Sequence, residues 1–162
     1  LKAAKDFMKN LEALLIEYGE SHQNKTNLKL HMICVPLIEW SLLGLLSLIP
    51  HPWHGSVNFA DLFALAALLY YVQFKNWKVL LGTILMLAFY LEVIAFLSSH
   101  SVMHRLIFYF TVFAVAWVGQ FIGHHIEGKK PSFFKDLFFL LIGPLWVLEE
   151  YLQILHCSIR KN

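Results

Sequence analysis

Four apolar runs, at 33–49, 57–74, 79–97 and 106–123, are each broken by at most one acidic residue. As helix, each has about the length that crosses a bilayer core, roughly 20 residues. A fifth run, 137–148, has only twelve uncharged residues and is interrupted by Gly143 and Pro144, so it reads as a broken span, a re-entrant hairpin or an interfacial helix. With 58% of the chain hydrophobic and 15% charged, against about half and a quarter in soluble domains, these runs predict an integral membrane protein. The expected fold class is all-α: a membrane helical bundle of four to five transmembrane or re-entrant helices behind an N-terminal amphipathic helix. One domain, 1–162, would divide into that helix (1–19), a polar entry segment (20–31) and the bundle (32–155).

Phe7, Leu11, Leu14, Leu15 and Tyr18 form one stripe at helical spacing, with Lys5, Lys9 and Glu12 off it. This segment is expected on the membrane surface or against the bundle. Its interspersed Asp6, Glu12 and Glu17 leave no uninterrupted apolar core for a cleavable signal peptide. Gly19 is a plausible stop, Asn27 a plausible N-cap for the first span, and Pro36 a source of a kink within it. Cys34 and Cys157, beside apolar runs and far apart, read as free buried thiols. The net charge of +2 is small and scattered, which argues against nucleic acid. No Gly-rich phosphate loop, nucleophile elbow or CxxC is present.

Basic residues mark one side. Lys2, Lys5, Lys9, Lys25 and Lys29 precede the first span, Lys75 and Lys78 lie in the second loop, and Lys129, Lys130 and Lys135 in the fourth. The first loop has none and the third only Arg105. The positive-inside rule then places the N-terminus in the cytoplasm. His22, His31, His124 and His125 fall at the cytoplasmic ends of the spans, and His51, His54, His100 and His104 at the opposite ends. A span of roughly 30 Å separates the two groups.

Neutral imidazole is a good ligand for iron, zinc or copper. His22 and His31 are nine residues apart, on opposite faces of a continuous helix, so they converge only if the chain breaks between them. The turn-forming segment Gln23-Asn24-Lys25-Thr26-Asn27 supplies that break, and Asn24 or Asn27 can hydrogen-bond and orient an imidazole. His124 and His125 are adjacent, so one of them would face a shared centre. Glu127 lies on the face of His124 and could ligate the metal or orient a ligand. Histidines at a membrane boundary are often simply amphipathic, so spacing leaves a metal site and a structural role both open. On the opposite side, His100 and His104 stand at i, i+4, a spacing that can chelate. Glu39, Asp61 and Glu92, inside spans, leave an ion or proton path open.

The segments Y-G-E-S-H-Q-N-K-T-N-L-K-L-H-M-I-C-V-P-L (18–37) and W-V-G-Q-F-I-G-H-H-I-E-G-K-K-P-S-F-F-K-D-L (117–137), in this order in a short multispan chain, resemble the Mpo-like family. Its characterised members are iron(II)-dependent dioxygenases of 2-hydroxy fatty acids in α-oxidation. The resemblance implies that His22, His31 and His124 are the catalytic metal ligands, with His125 and Glu127 as weaker candidates, and that the cofactor is Fe(2+). It also implies a 2-hydroxy fatty acid and O₂ as partners within the lipid bilayer, with the carboxylate steered by Lys25, Lys29, Lys129 or Lys130. Self-association into a homo-oligomer stays open. The expected location is a bacterial inner membrane, or the endoplasmic reticulum membrane in a eukaryote, with the site facing the cytoplasm. A haem-binding or ion-transport membrane protein without dioxygenase activity is the alternative.

Overall fold

The computed structural model describes residues 2–20, 22–52, 55–128 and 139–155, with side chains from Leu11 in the first helix and from Leu141 in the last. The described residues form six α-helices and no strand: α1 (Lys2–Glu20), α2 (Lys25–Ser47), α3 (Phe59–Val72), α4 (Trp77–Phe96, followed by a 3₁₀ turn at Leu97–Ser99), α5 (Val102–Glu127) and α6 (Phe139–Ile154). Three stretches are long and apolar enough to cross a membrane, Lys25–Ser47, Trp77–Ser99 and Val102–Glu127. The expected span at 57–74 is shorter, because α3 is helical for 14 residues only. Asn58 and Asp61 explain its start, as their side chains and backbone amides form a reciprocal capping box. At its other end the chain turns through Lys75, whose φ is +51°. Ile107, Phe110, Val115, Val118 and Ile122 of α5 are all exposed. An apolar face of that extent belongs against lipid rather than water.

The long helices α2 and α5 pack along each other and form the spine of the bundle. Close approach depends on missing side chains: a Cβ at Gly44 would enter the ring of Tyr109, and one at Gly123 would collide with Asn27 Oδ1. Small residues at helix crossings are how apolar helices gain contact within a bilayer, where lipid offers no hydrophobic drive. Pro36 lies inside α2, which continues past it to Ser47. Having no N–H, Pro36 cannot bond the carbonyl of Met32 four residues earlier. That carbonyl accepts the Tyr151 hydroxyl of α6 at 2.5 Å instead.

α1 packs on α6. Leu11, Leu15 and Tyr18 of the expected stripe are buried there, and the side chain of Phe7 lies outside the described residues. Full burial of each leucine contributes about 2 kcal/mol, enough to hold a helix whose opposite face is polar. These residues join Val35, Tyr71, Phe74, Val79, Ile142 and Trp146 in one apolar cluster. The turn between α3 and α4 is therefore at the same end of the bundle as α1. A second cluster, built around Leu43, Ala64, Leu87, Tyr90 and Tyr109, fills the other end. Cys34 is a buried free thiol, whereas Cys157 lies outside the described residues.

Candidate metal centre

α1 ends at Glu20 and α2 begins at Lys25, so the chain does break between His22 and His31. The N-cap of α2 is Asn24, not Asn27: Asn24 Oδ1 accepts the amides of Thr26 at 2.8 Å and Asn27 at 3.4 Å. The earlier start places His31 in the second turn rather than the first. Asn27 is fully buried at the crossing with α5.

The loop carrying His22 is held from both sides. Gly19 O accepts the His22 amide at 3.0 Å and the Gln23 side chain at 2.7 Å. From α5, Glu127 accepts the amides of Gln23 at 3.0 Å and Asn24 at 2.8 Å, and the Asn27 side-chain amide at 3.1 Å. An acidic group at the first turn of α2 also suits the positive end of that helix. Glu127 thus clasps the end of α5 to the start of α2, with its carboxylate directed at the amides of the loop.

Within this frame three histidines meet. His22, His31 and His124 each offer a ring nitrogen, and these atoms all lie within 4.8 Å of one another. All three residues are buried. His31 Nε2 stands 3.0 Å from His22 Nε2 and 3.1 Å from His124 Nε2. The Nδ1–H of His22 donates to the Tyr18 carbonyl at 2.6 Å; a carbonyl only accepts, so the neutral ring keeps its lone pair on Nε2. The His22 ring also stacks on Tyr18, with centroids 4.6 Å apart and planes within 9°, and leans on Trp146 of α6 at 4.9 Å. Burial, reinforced by the charge of Glu39, pushes the Tyr18 phenol well above its ordinary range, so it stays a neutral wall.

The donor set fits a metal ion. Two nitrogens bound to one divalent ion at about 2.1 Å and at right angles stand about 3.0 Å apart, close to both Nε2 separations found. Without a cation, His31 Nε2 can give a proton to only one of its two neighbours, whereas a cation satisfies all three lone pairs. A buried group of three histidines able to hold a metal ion is therefore present.

Among the described residues, none of the other expected ligands joins this group. His125 is exposed, as are Lys25 and Lys29 on α2. Lys129 and Lys130 lie outside the described residues, as do His54 and His156. At the opposite end, His100 precedes the helix that carries His104, because Ser101 caps α5 between them. The expected i, i+4 pair therefore does not share a helix. Both rings are exposed; the nearest groups are Leu97 O for His100 and Ser101 Oγ for His104. Among the described residues, only His22, His31 and His124 form a group able to hold a metal. Of the acids inside spans, Asp61 caps α3 and Glu92 is exposed. Glu39 accepts the Tyr90 hydroxyl at 3.5 Å.

Below the histidines a cavity of about 290 Å³ runs into the bundle. His31 and His124 line its upper end, and Val35, Leu42, Phe63, Met86, Phe113 and Trp117 are among its apolar walls. Glu39, Thr83 and Gln120 are its polar points. Spacing did not reveal that α6 helps build this site. Trp146 is an apolar residue in an apolar run, and only tertiary packing brings it to His22. The Tyr18 carbonyl did carry a signal, since Tyr18 stands one helical turn before His22.

Residues 8–155 match the model of a family described as 2-hydroxy-palmitic acid dioxygenase Mpo1-like. No curated protein and no solved structure matches the chain.

Proposed function

Since the chain belongs to the Mpo1-like family, we propose that it is a membrane dioxygenase of fatty acid α-oxidation. Its substrates would be a 2-hydroxy fatty acid and O₂, and His22, His31 and His124 would hold iron(II). The observation that carries this reading is the three convergent imidazoles at the end of an apolar cavity. The reaction is balanced: R–CH(OH)–COOH and O₂ give R–COOH, CO₂ and H₂O. The four electrons removed from carbon are those one O₂ accepts, so no separate reductant is required.

Iron(II), when bound, supplies an open-shell centre that can react with O₂ and bind an oxygen-rich head group. The protein does the rest. The Tyr18 carbonyl fixes the tautomer of His22, and Tyr18 and Trp146 wall its ring from water. Three neutral imidazoles leave the full positive charge of the ion in place, which favours an anionic acid over a neutral lipid. The cavity receives the alkyl tail, which explains why the catalyst sits in a membrane. Lys25 and Lys29, exposed on the first turns of α2, are placed to draw a carboxylate to this end. Glu127 and Asn24 act as positioning residues, holding the loop of His22. The basic residues at 25, 29, 75 and 78 favour a cytoplasmic orientation of the site.

Detergent-purified protein should contain about one iron per chain, and with 2-hydroxyhexadecanoic acid and O₂ should release pentadecanoic acid and CO₂. An intense Soret band would sink this reading in favour of a haem protein. Stoichiometric iron with no acid consumed would remove the reaction while leaving the metal site.

A further inference from the structure

The cavity poses an electrostatic problem. Among the described residues its lining includes no lysine or arginine, yet the proposed substrate is an acid, and an anion in an apolar enclosure is costly unless donors meet it. Outside the histidine group, two lining residues carry a buried donor without a partner, Thr83 through Oγ1 and Gln120 through Nε2, and of these Gln120 shares a helix with one of the three histidines. Gln120 is only 4% exposed, and its Nε2 has no hydrogen-bond partner. It lies four residues before His124 on α5, one turn and roughly 6 Å along the helix, on the same face. A buried amide with an idle donor is a cost to the fold that a ligand can remove. Nothing in the packing compels a polar residue here, since its neighbours on the wall include Trp117 and Phe113.

We infer that Gln120 is the substrate-binding residue that donates Nε2–H to the carboxylate of the acid held at the three histidines. This rests on the proposed function and adds how the site tells an acid from a neutral lipid of equal length. The charge of the metal would favour an anionic head group without directing where its second oxygen lies. A fixed donor one turn below it rewards the additional anionic oxygen, and leaves an alcohol in that place bound less well. Hydrogen bonds to a charged acceptor are the stronger kind.

The test uses iron-loaded protein without O₂, so that binding is read apart from turnover, by quenching of tryptophan fluorescence. The probes are 2-hydroxyhexadecanoic acid and 1,2-hexadecanediol. Gln120→Leu should weaken the acid about ten- to a hundredfold, keep the diol within about threefold, and retain wild-type iron. Its ligand-free thermal midpoint should equal or exceed that of the wild type, because an idle buried donor has been replaced by an apolar side chain. Gln120→Glu, of the same shape, should bind the acid worse still while keeping the diol. Parallel loss of both probes, loss of iron, or a Leu variant that is destabilised or fails to fold would each show Gln120 to be structural and overturn the inference. A wild type that binds the acid, with variants that bind it equally, removes Gln120 alone. A wild type that neither binds nor consumes the acid removes the proposed function itself.

Discussion

Both ends of the bundle carry histidines, and they have been treated very differently by the fold. At the end formed by α1, the start of α2 and the close of α5, three imidazoles arrive from three separate segments and are buried. At the other end, His100 and His104 come from a single turn of chain and stay exposed. Closeness in sequence favours the second pair. What makes the first group a candidate centre is restraint: a carbonyl on one ring, two aromatic walls, and a carboxylate that locks the loop to a distant helix. Local spacing can bring nitrogens together, but only long-range packing removes water from them and fixes the direction of their lone pairs.

The largest expected effect tests this contrast directly. His31→Ala removes the nitrogen that stands between the other two, and purified protein should lose nearly all its iron by elemental analysis. The double variant His100→Ala/His104→Ala should keep it. Iron lost from the second protein and kept by the first would place the centre at the wrong end. Next in size is Glu127→Ala, which releases two hydrogen bonds from α5 to the loop of His22 and one to Asn27 of α2. By analogy with groups that orient metal ligands, iron affinity should fall about 10–100-fold. Iron titration checks it, and an unchanged affinity would mean that the loop needs no clasp. Asn24→Ala should cost about 1 kcal/mol of stability through the lost cap, measured by denaturation in detergent, whereas Asn27→Ala should leave that cap intact. The smallest effect belongs to Lys25→Ala. Its exposed side chain orders nothing, so iron affinity should not move; a clear drop would show that charge, not geometry, holds this end together.

Much of this architecture was legible. Apolar run length identified the helices at 25–47, 77–99 and 102–127, because membrane helices must be apolar over a fixed length. The run at 57–74 reaches two residues beyond α3 (Phe59–Val72) at each end, since hydropathy registers Val57 and Phe74 but not the capping box and turn that clip the helix inside them. The choice between Asn24 and Asn27 was equally invisible to composition. Both are good caps; in the fold Asn24 takes that role while the Asn27 side chain is turned to Glu127, a hundred residues away. The gathering of His22, His31 and His124 could be expected from a polar break before one span and a histidine closing another. The roles of Trp146 and Tyr151 could not, because each reaches its partner through contacts between elements far apart in the chain.

That distance sets an order in time. His22 and His31 leave the ribosome before His124, which follows His31 by 93 residues, a delay of roughly 5–20 s at ordinary rates of synthesis. Trp146, against which His22 rests, and Tyr151, which secures the Met32 carbonyl beside His31, come later still. A nascent chain therefore presents no finished pocket for a metal ion until α5 and α6 have followed α2. On the proposed function, iron would be captured tightly only once α6 has docked, so reactivity towards oxygen would follow that step and not precede it.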